Sequence, residues 1–237
     1  MKPPFIAPSI VLSLVLLAME GVFCFAQQGA LRLQFQPTFN GQRVAFDSTT
    51  YQTTSGARIT FSMLKFYVSG ITIHGMDSSS ISTSDHVLVD ATEPHEVAIP
   101  GAPWGRGRAV SFTIGVDSLV NEQGPREGAL DPRNGMYWTW ATGYIFLKLE
   151  GTLEAPGVAR RIYEIHVGGY KAPYQNTFSV TLPVEGRSWR EPLIVDVALD
   201  RFFDAEPAFD ITKRPSVTDA RQASDVIDRL RGMFRVR

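Results

Sequence analysis

Cysteine is almost absent: Cys24 stands alone among 237 residues. Zinc–thiolate sites, iron–sulfur clusters and disulfide frameworks each need several thiols, so none of them can be built here. Charge of one sign is equally scarce. Lys and Arg number 23 against 24 Asp and Glu, for a formal net charge of −1. There is no basic excess to hold nucleic acid and no acidic block to form a charged tail. The sequence also lacks GxGxxG, the P-loop, GxSxG and HExxH, which removes the usual nucleotide and hydrolase motifs. Its one long apolar run, Ile10–Met19, is too short to span a bilayer comfortably.

That run lies in residues 1–26, which read as a secretory signal peptide. Lys2 supplies the positive end, Ile10–Met19 the hydrophobic region, and a cut after Ala26 leaves Gln27 first. A retained anchor is the alternative. Cleavage removes one base (Lys2), one acid (Glu20) and Cys24, so the mature chain keeps its charge, has no thiol and carries no membrane span. A cysteine nucleophile falls with Cys24. The expected location is the periplasm or another exported compartment. Residues 27–237 then form one domain, long enough to bury a core without a disulfide.

Within that domain the dominant pattern has a period of two. Leu31, Leu33 and Phe35 alternate with polar residues, as do Val110, Phe112, Ile114 and Val116, and Leu193, Val195, Val197 and Leu199. Arg161–Val167 places Tyr163, Ile165 and Val167 on one face and Ile162, Glu164 and His166 on the other. Asn40-Gly41, the serine-rich Asp77–Asp85 and Glu154–Gly157 punctuate these runs. Eight or nine such strands predict an all-β fold, an antiparallel β-sandwich. Ala223, Val226, Ile227, Leu230, Met233 and Phe234 fall at helical spacing, which predicts a short C-terminal helix capped by Ser216 or Thr218.

The densest cluster of unusual residues is Met136-Tyr137-Trp138-Thr139-Trp140, after a loop bearing Asp117, Asn121, Asp131 and Asn134. In an extended chain Met136, Trp138 and Trp140 share one face, with neighbours about 6.5–7 Å apart. The indoles then form either a core anchor or the wall of a site. For metal binding the soft and borderline donors are His74, His86, His95, His166 and methionines including Met136. Imidazole suits copper, and thioether favours Cu(I). His166, shortly before Gly168-Gly169, is the most informative histidine; a hydrogen-bonded histidine on a sheet surface is the competing reading. His74 and His86 flank the serine-rich loop and are expected in solvent. Asp117, Asn121 and Asp131 could serve calcium, although the spacing is not that of an EF-hand and turn chemistry accounts for the same residues. Glu150, Glu164, Asp196 and Asp200 show no order that pairs an acid with a base. The expectation is a binding protein, not an enzyme.

GVDSLVN, GALDPRNGMYWTWATGYIFLKLEG and IHVGG, with FSMLKFYVSGITI and HVLVD before them, resemble the MbnP-like domain family over nearly the whole mature chain. The resemblance implies an exported β-sandwich that binds copper, in a setting associated with methanobactin. It also implies a tryptophan oxidised to kynurenine near the metal, with a diheme peroxidase-like partner for that modification. Carried over, Trp138 and Trp140 are the candidate tryptophans, and His166 and Met136 the candidate ligands. Some copper-binding relatives place a tryptophan and a histidine two residues apart; this sequence has no Trp-x-His. Two other readings stay open: an extracytoplasmic β-sandwich that binds a small molecule or protein without metal, and an extracytoplasmic hydrolase with carboxylates distant in sequence.

Overall fold

Strands with one apolar face must bury it, and here two sheets bury theirs against each other. The computed structural model describes residues 31–101, 105–139 and 143–237. The signal-peptide reading of residues 1–26 and the role given to Trp140 lie outside the described residues. In chain order the strands are β1 (Leu31–Phe39), β2 (Gln42–Arg43), β3 (Tyr51–Gln52), β4 (Arg58–Ile59), β5 (Met63–Gly75), β6 (Ser80–Ser82), β7 (Val87–Asp90), β8 (Glu96–Ile99) and β9 (Gly107–Ile114). After helix α1 (Ser118–Glu122) come β10 (Tyr137–Trp138), β11 (Gly143–Ala155), β12 (Val158–Gly168), β13 (Phe178–Pro183) and β14 (Leu193–Ala198). Helix α2 (Leu199–Asp204), β15 (Ser216–Val217), α3 (Ala220–Ser224), α4 (Ile227–Arg231) and β16 (Phe234–Val236) complete the chain. No helix among the described residues is long and apolar enough to cross a membrane.

The smaller sheet runs β16-β14-β1-β2, with β8 also on β1; the larger runs β13-β9-β5-β11-β12-β15, with shorter strands attached. Most pairs are antiparallel, as expected of the sandwich. Two are not: β1 lies parallel to β14, and β15 parallel to β12. Between the sheets Phe35 meets Phe66 and Phe112 edge-on at 5.3 and 5.6 Å, and Phe234 meets the same two rings at 5.7 Å each. Edge-to-face contact suits the ring quadrupoles and fixes how the sheets face each other.

The C-terminal segment departs from the single predicted helix. Its helical spacing is real, but it breaks into α3 and α4 at Asp225–Val226, and Phe234 leaves the helix to pair with Val197 in β14. The open edge of β14 offers backbone partners that a continued helix would forgo. Asp219 caps α3 by accepting from Gln222 N–H, a role expected of Ser216 or Thr218; Ser216 is instead in β15.

The outer face of the larger sheet is divided. At one end the segment between β9 and β11 folds over it and encloses a second apolar cluster, which includes Tyr67, Met136, Trp138, Tyr144, Phe146 and Tyr170. Beyond that cover, the same face carries polar and charged side chains.

Candidate metal centre

β11 and β12 form a hairpin through the two-residue turn Pro156-Gly157, where Gly157 takes φ 76. The register sets Lys148 opposite His166 and Glu150 opposite Glu164. Leu147, Leu149, Ile165 and Val167 face the core, so strand alternation sends Lys148, Glu150, Glu164 and His166 outward together. The next strand extends both rows, with Lys65 beside Lys148 and Met63 beside Glu150.

His166 is the centre of this group. It is only 9% exposed, and its Nε2 lies 2.7 Å from Glu150 Oε1. An ionised carboxylate can only accept, so Nε2 carries the proton in this arrangement. That hydrogen bond is the main reason the Glu150 carboxyl is held below its usual pKa; burial opposes the shift, and Lys148 adds to it from 3.7 Å. Lys148 also donates to Gly135 O at 2.8 Å, tying the hairpin to the covering segment. Glu164 is exposed, and its carboxylate joins the other two. One donor atom from each of Glu150, Glu164 and His166 lies within 4.8 Å of the others.

The sequence-predicted residues fall in different places around this group. Trp138 is 3% exposed and belongs to the second apolar cluster, so it is a core anchor by burial. Its indole also reaches β12: a Cβ added at Gly168 would lie 2.6 Å from Trp138 Cζ3. Gly168 is the next outward position after His166. The Gly168-Gly169 opening foreseen from sequence therefore admits this indole, one residue pair along the strand from the imidazole. Met136 is wholly buried in the same apolar cluster.

The oxygen-rich loop is occupied by its own turns. Asp117 caps α1 through Val120 N–H, and Asp131 accepts from the backbone and guanidinium of Arg133. Asn121 is buried; its amide donates to Val116 O and accepts from Tyr144 N–H. These side chains use their oxygens to shape the segment covering the second cluster. His74 pairs with Ser111 Oγ at 3.1 Å, and His95 lies half-buried between β7 and β8.

His86 is not in solvent as expected. Only 12% of its side chain is exposed, because the covering segment brings Asp117 Oδ2 to 3.3 Å from its Nε2. Burial lowers its pKa, and Asp117 offsets only part of that. A lowered histidine pKa means the folded chain favours the neutral ring. The associated stability is complete above the ordinary value of 6.5 and is lost as pH falls through the folded value. The melting temperature should therefore fall between pH 7 and pH 5, and by less in His86→Gln. Equal falls in both proteins would show that His86 is not responsible.

Glu150 and Glu164 are the members that sequence reasoning did not join to His166. Their donor set can be tested against copper on its chemistry. Nitrogen and oxygen bonds to such ions are about 2.0–2.2 Å, so donors to one ion sit roughly 3–4 Å apart. Donor atoms within 4.8 Å of one another are near that spacing. One imidazole and two carboxylates suit Cu(II) and Zn(II), whereas Cu(I) favours sulfur, and the Met136 thioether is enclosed among apolar side chains. The residues fit the oxidised ion.

Fold and cluster together define an all-β sandwich with a candidate divalent-cation centre on the outer face of its larger sheet. The chain belongs to the MbnP family, whose model matches residues 28–219. Among solved structures it is similar to MbnP from Methylosinus trichosporium, with a TM-score of 0.54 and 17% sequence identity. That likeness covers 73% of this chain and 77% of the other, and at this identity it bears on the fold. No curated protein sequence matches the chain.

Proposed function

We propose that this is an extracytoplasmic copper-binding protein, acting by binding and not by catalysis. Membership of the MbnP family supports the setting. The observation that carries the metal reading is the convergence of His166, Glu150 and Glu164 at the rim of the covered face. In this reading the three side chains hold Cu(II), and the metal replaces the proton shared by His166 and Glu150. Trp138 walls the site on the Gly168 side. In the same reading Trp138 is the described tryptophan assigned to oxidation to kynurenine, with peroxide as the oxidant, the indole C2 lost as formate, and a diheme peroxidase-like partner as the catalyst.

Glu150 suits this role because its carboxylate already accepts from His166 Nε2, so it offers a charged oxygen at the point where that proton leaves. Lys148 balances part of the carboxylate charge and would be repelled as a divalent ion arrives. The direct test is metal analysis of protein isolated from the cell envelope, followed by titration of the stripped protein with Cu(II). One copper per chain, recovered on titration, is expected. Metal-free native protein that takes up no copper would refute the reading and favour a non-metal binding module. Mass spectrometry of the same sample reads out oxidation at Trp138.

A further inference from the structure

Trp138 also lines a cavity of about 340 Å³, separate from the His166 group, since none of Glu150, Glu164 and His166 lines it. Small-molecule pockets begin at about 300 Å³ and are mostly apolar with a few placed polar groups. Here Trp138, Tyr170 and Tyr174 supply aromatic walls. The walls are also tied together. Asn176, 2% exposed, donates to Gly168 O at 2.7 Å and to Ala220 O at 2.6 Å, joining the end of β12 to the start of α3. Gly169 has no room for a side chain, because a Cβ there would come within 2.8 Å of Asn176 Nδ2 and Tyr174 O. The cavity is therefore held open by the fold and does not depend on a ligand to form.

Two charges lie at its rim. Asp219 already accepts the α3 cap bond from Gln222 N–H. Lys171 is exposed, with its ammonium 5.1 Å from the Tyr170 ring centre, and it takes part in none of the ion pairs among the described residues. A flat ring can stack on the aromatic walls while an acid group meets Lys171. The geometry points to a binding site for a small planar aromatic anion between Trp138 and Tyr174, with Lys171 recognising its charge.

Calorimetric titration of the metal-free full-length protein with 1-naphthoate and with 1-naphthylmethylammonium tests this. The probes share a ring and differ in charge. Naphthoate should fill one saturable site at least about tenfold more tightly than the cation. Lys171→Met should weaken naphthoate about fivefold and leave the cation unweakened. Ala172→Trp, which places an indole at the exposed rim, should abolish binding while the melting temperature holds. Absence of saturable binding overturns the site. Equal affinity for the two probes, or indifference to Lys171→Met, overturns the assigned ligand class.

Discussion

Replacing His166 by alanine is expected to weaken Cu(II) binding by about 100-fold or more. Loss of an outer-shell partner alone costs roughly 10- to 100-fold in metal affinity, and a direct nitrogen ligand contributes more. His166 is the sole imidazole in the cluster, and the carboxylates left behind are weaker donors for copper. The fold should survive, because His166 stands on the outward face and its neighbours Ile165 and Val167 keep the core contacts. Glu150→Gln preserves shape but removes one negative charge, and a smaller loss is expected, about tenfold. Competition titration against a chelator of known affinity measures both. A His166→Ala protein within threefold of wild type would exclude this histidine as a ligand, whatever the metal content of the native protein.

The second large effect concerns stability. In β11, Gly151 is the residue after Glu150, and a Cβ built on it falls 1.8 Å from the backbone oxygen of Thr60 and 2.8 Å from Tyr163 Oη. Neither neighbour is free to yield. Thr60 N–H donates to Thr152 O, Ser62 N–H donates to Glu150 O, and Tyr163 Oη donates to Thr60 O, all at 2.9 Å. Gly151→Ala must therefore break backbone bonds or force the strands apart. It should cost about 3 kcal/mol or more, at the upper end of overpacking penalties. For a chain of this size that is a fall in melting temperature of roughly 6–12 °C. Copper affinity should fall with it, because Glu150 rides on the displaced strand. A melting temperature within 2 °C of wild type would show that the backbone there can adjust.

The strands were readable from sequence because burial on one face imposes a period of two, and Leu31–Phe35, Val110–Ile114 and Leu193–Val197 show it cleanly. The pairings were harder. Parallel contact between β1 and β14 joins segments about 160 residues apart, and no local pattern encodes it. His166 was legible as an outward residue; its carboxylate companions were not. A signal for them existed in the Pro156-Gly157 turn, since a hairpin there brings Lys148 and Glu150 alongside the Glu164–His166 stretch. The bulge between Leu153 and Ala155 shifts that register by one, so counting back from the turn without it would misplace every pair. The burial of His86 is hidden from the sequence for a related reason. Its local surroundings are polar, and the segment that buries it arrives about 30 residues later in the chain.

The parallel pairing of β1 with β14 also dictates an order of assembly. The first described strand has its central partner near residue 195, and β14 is in turn completed by β16 at residues 234–236. Loop closure over so long a separation must be met before those contacts return any stability. An elongating chain can therefore form the β11–β12 hairpin early, as a local unit, while one edge of β1 waits for β14. Until residues 193–198 have emerged, one edge of β1 remains an unpaired row of backbone donors and acceptors, open to chaperones, proteases and wrong partners.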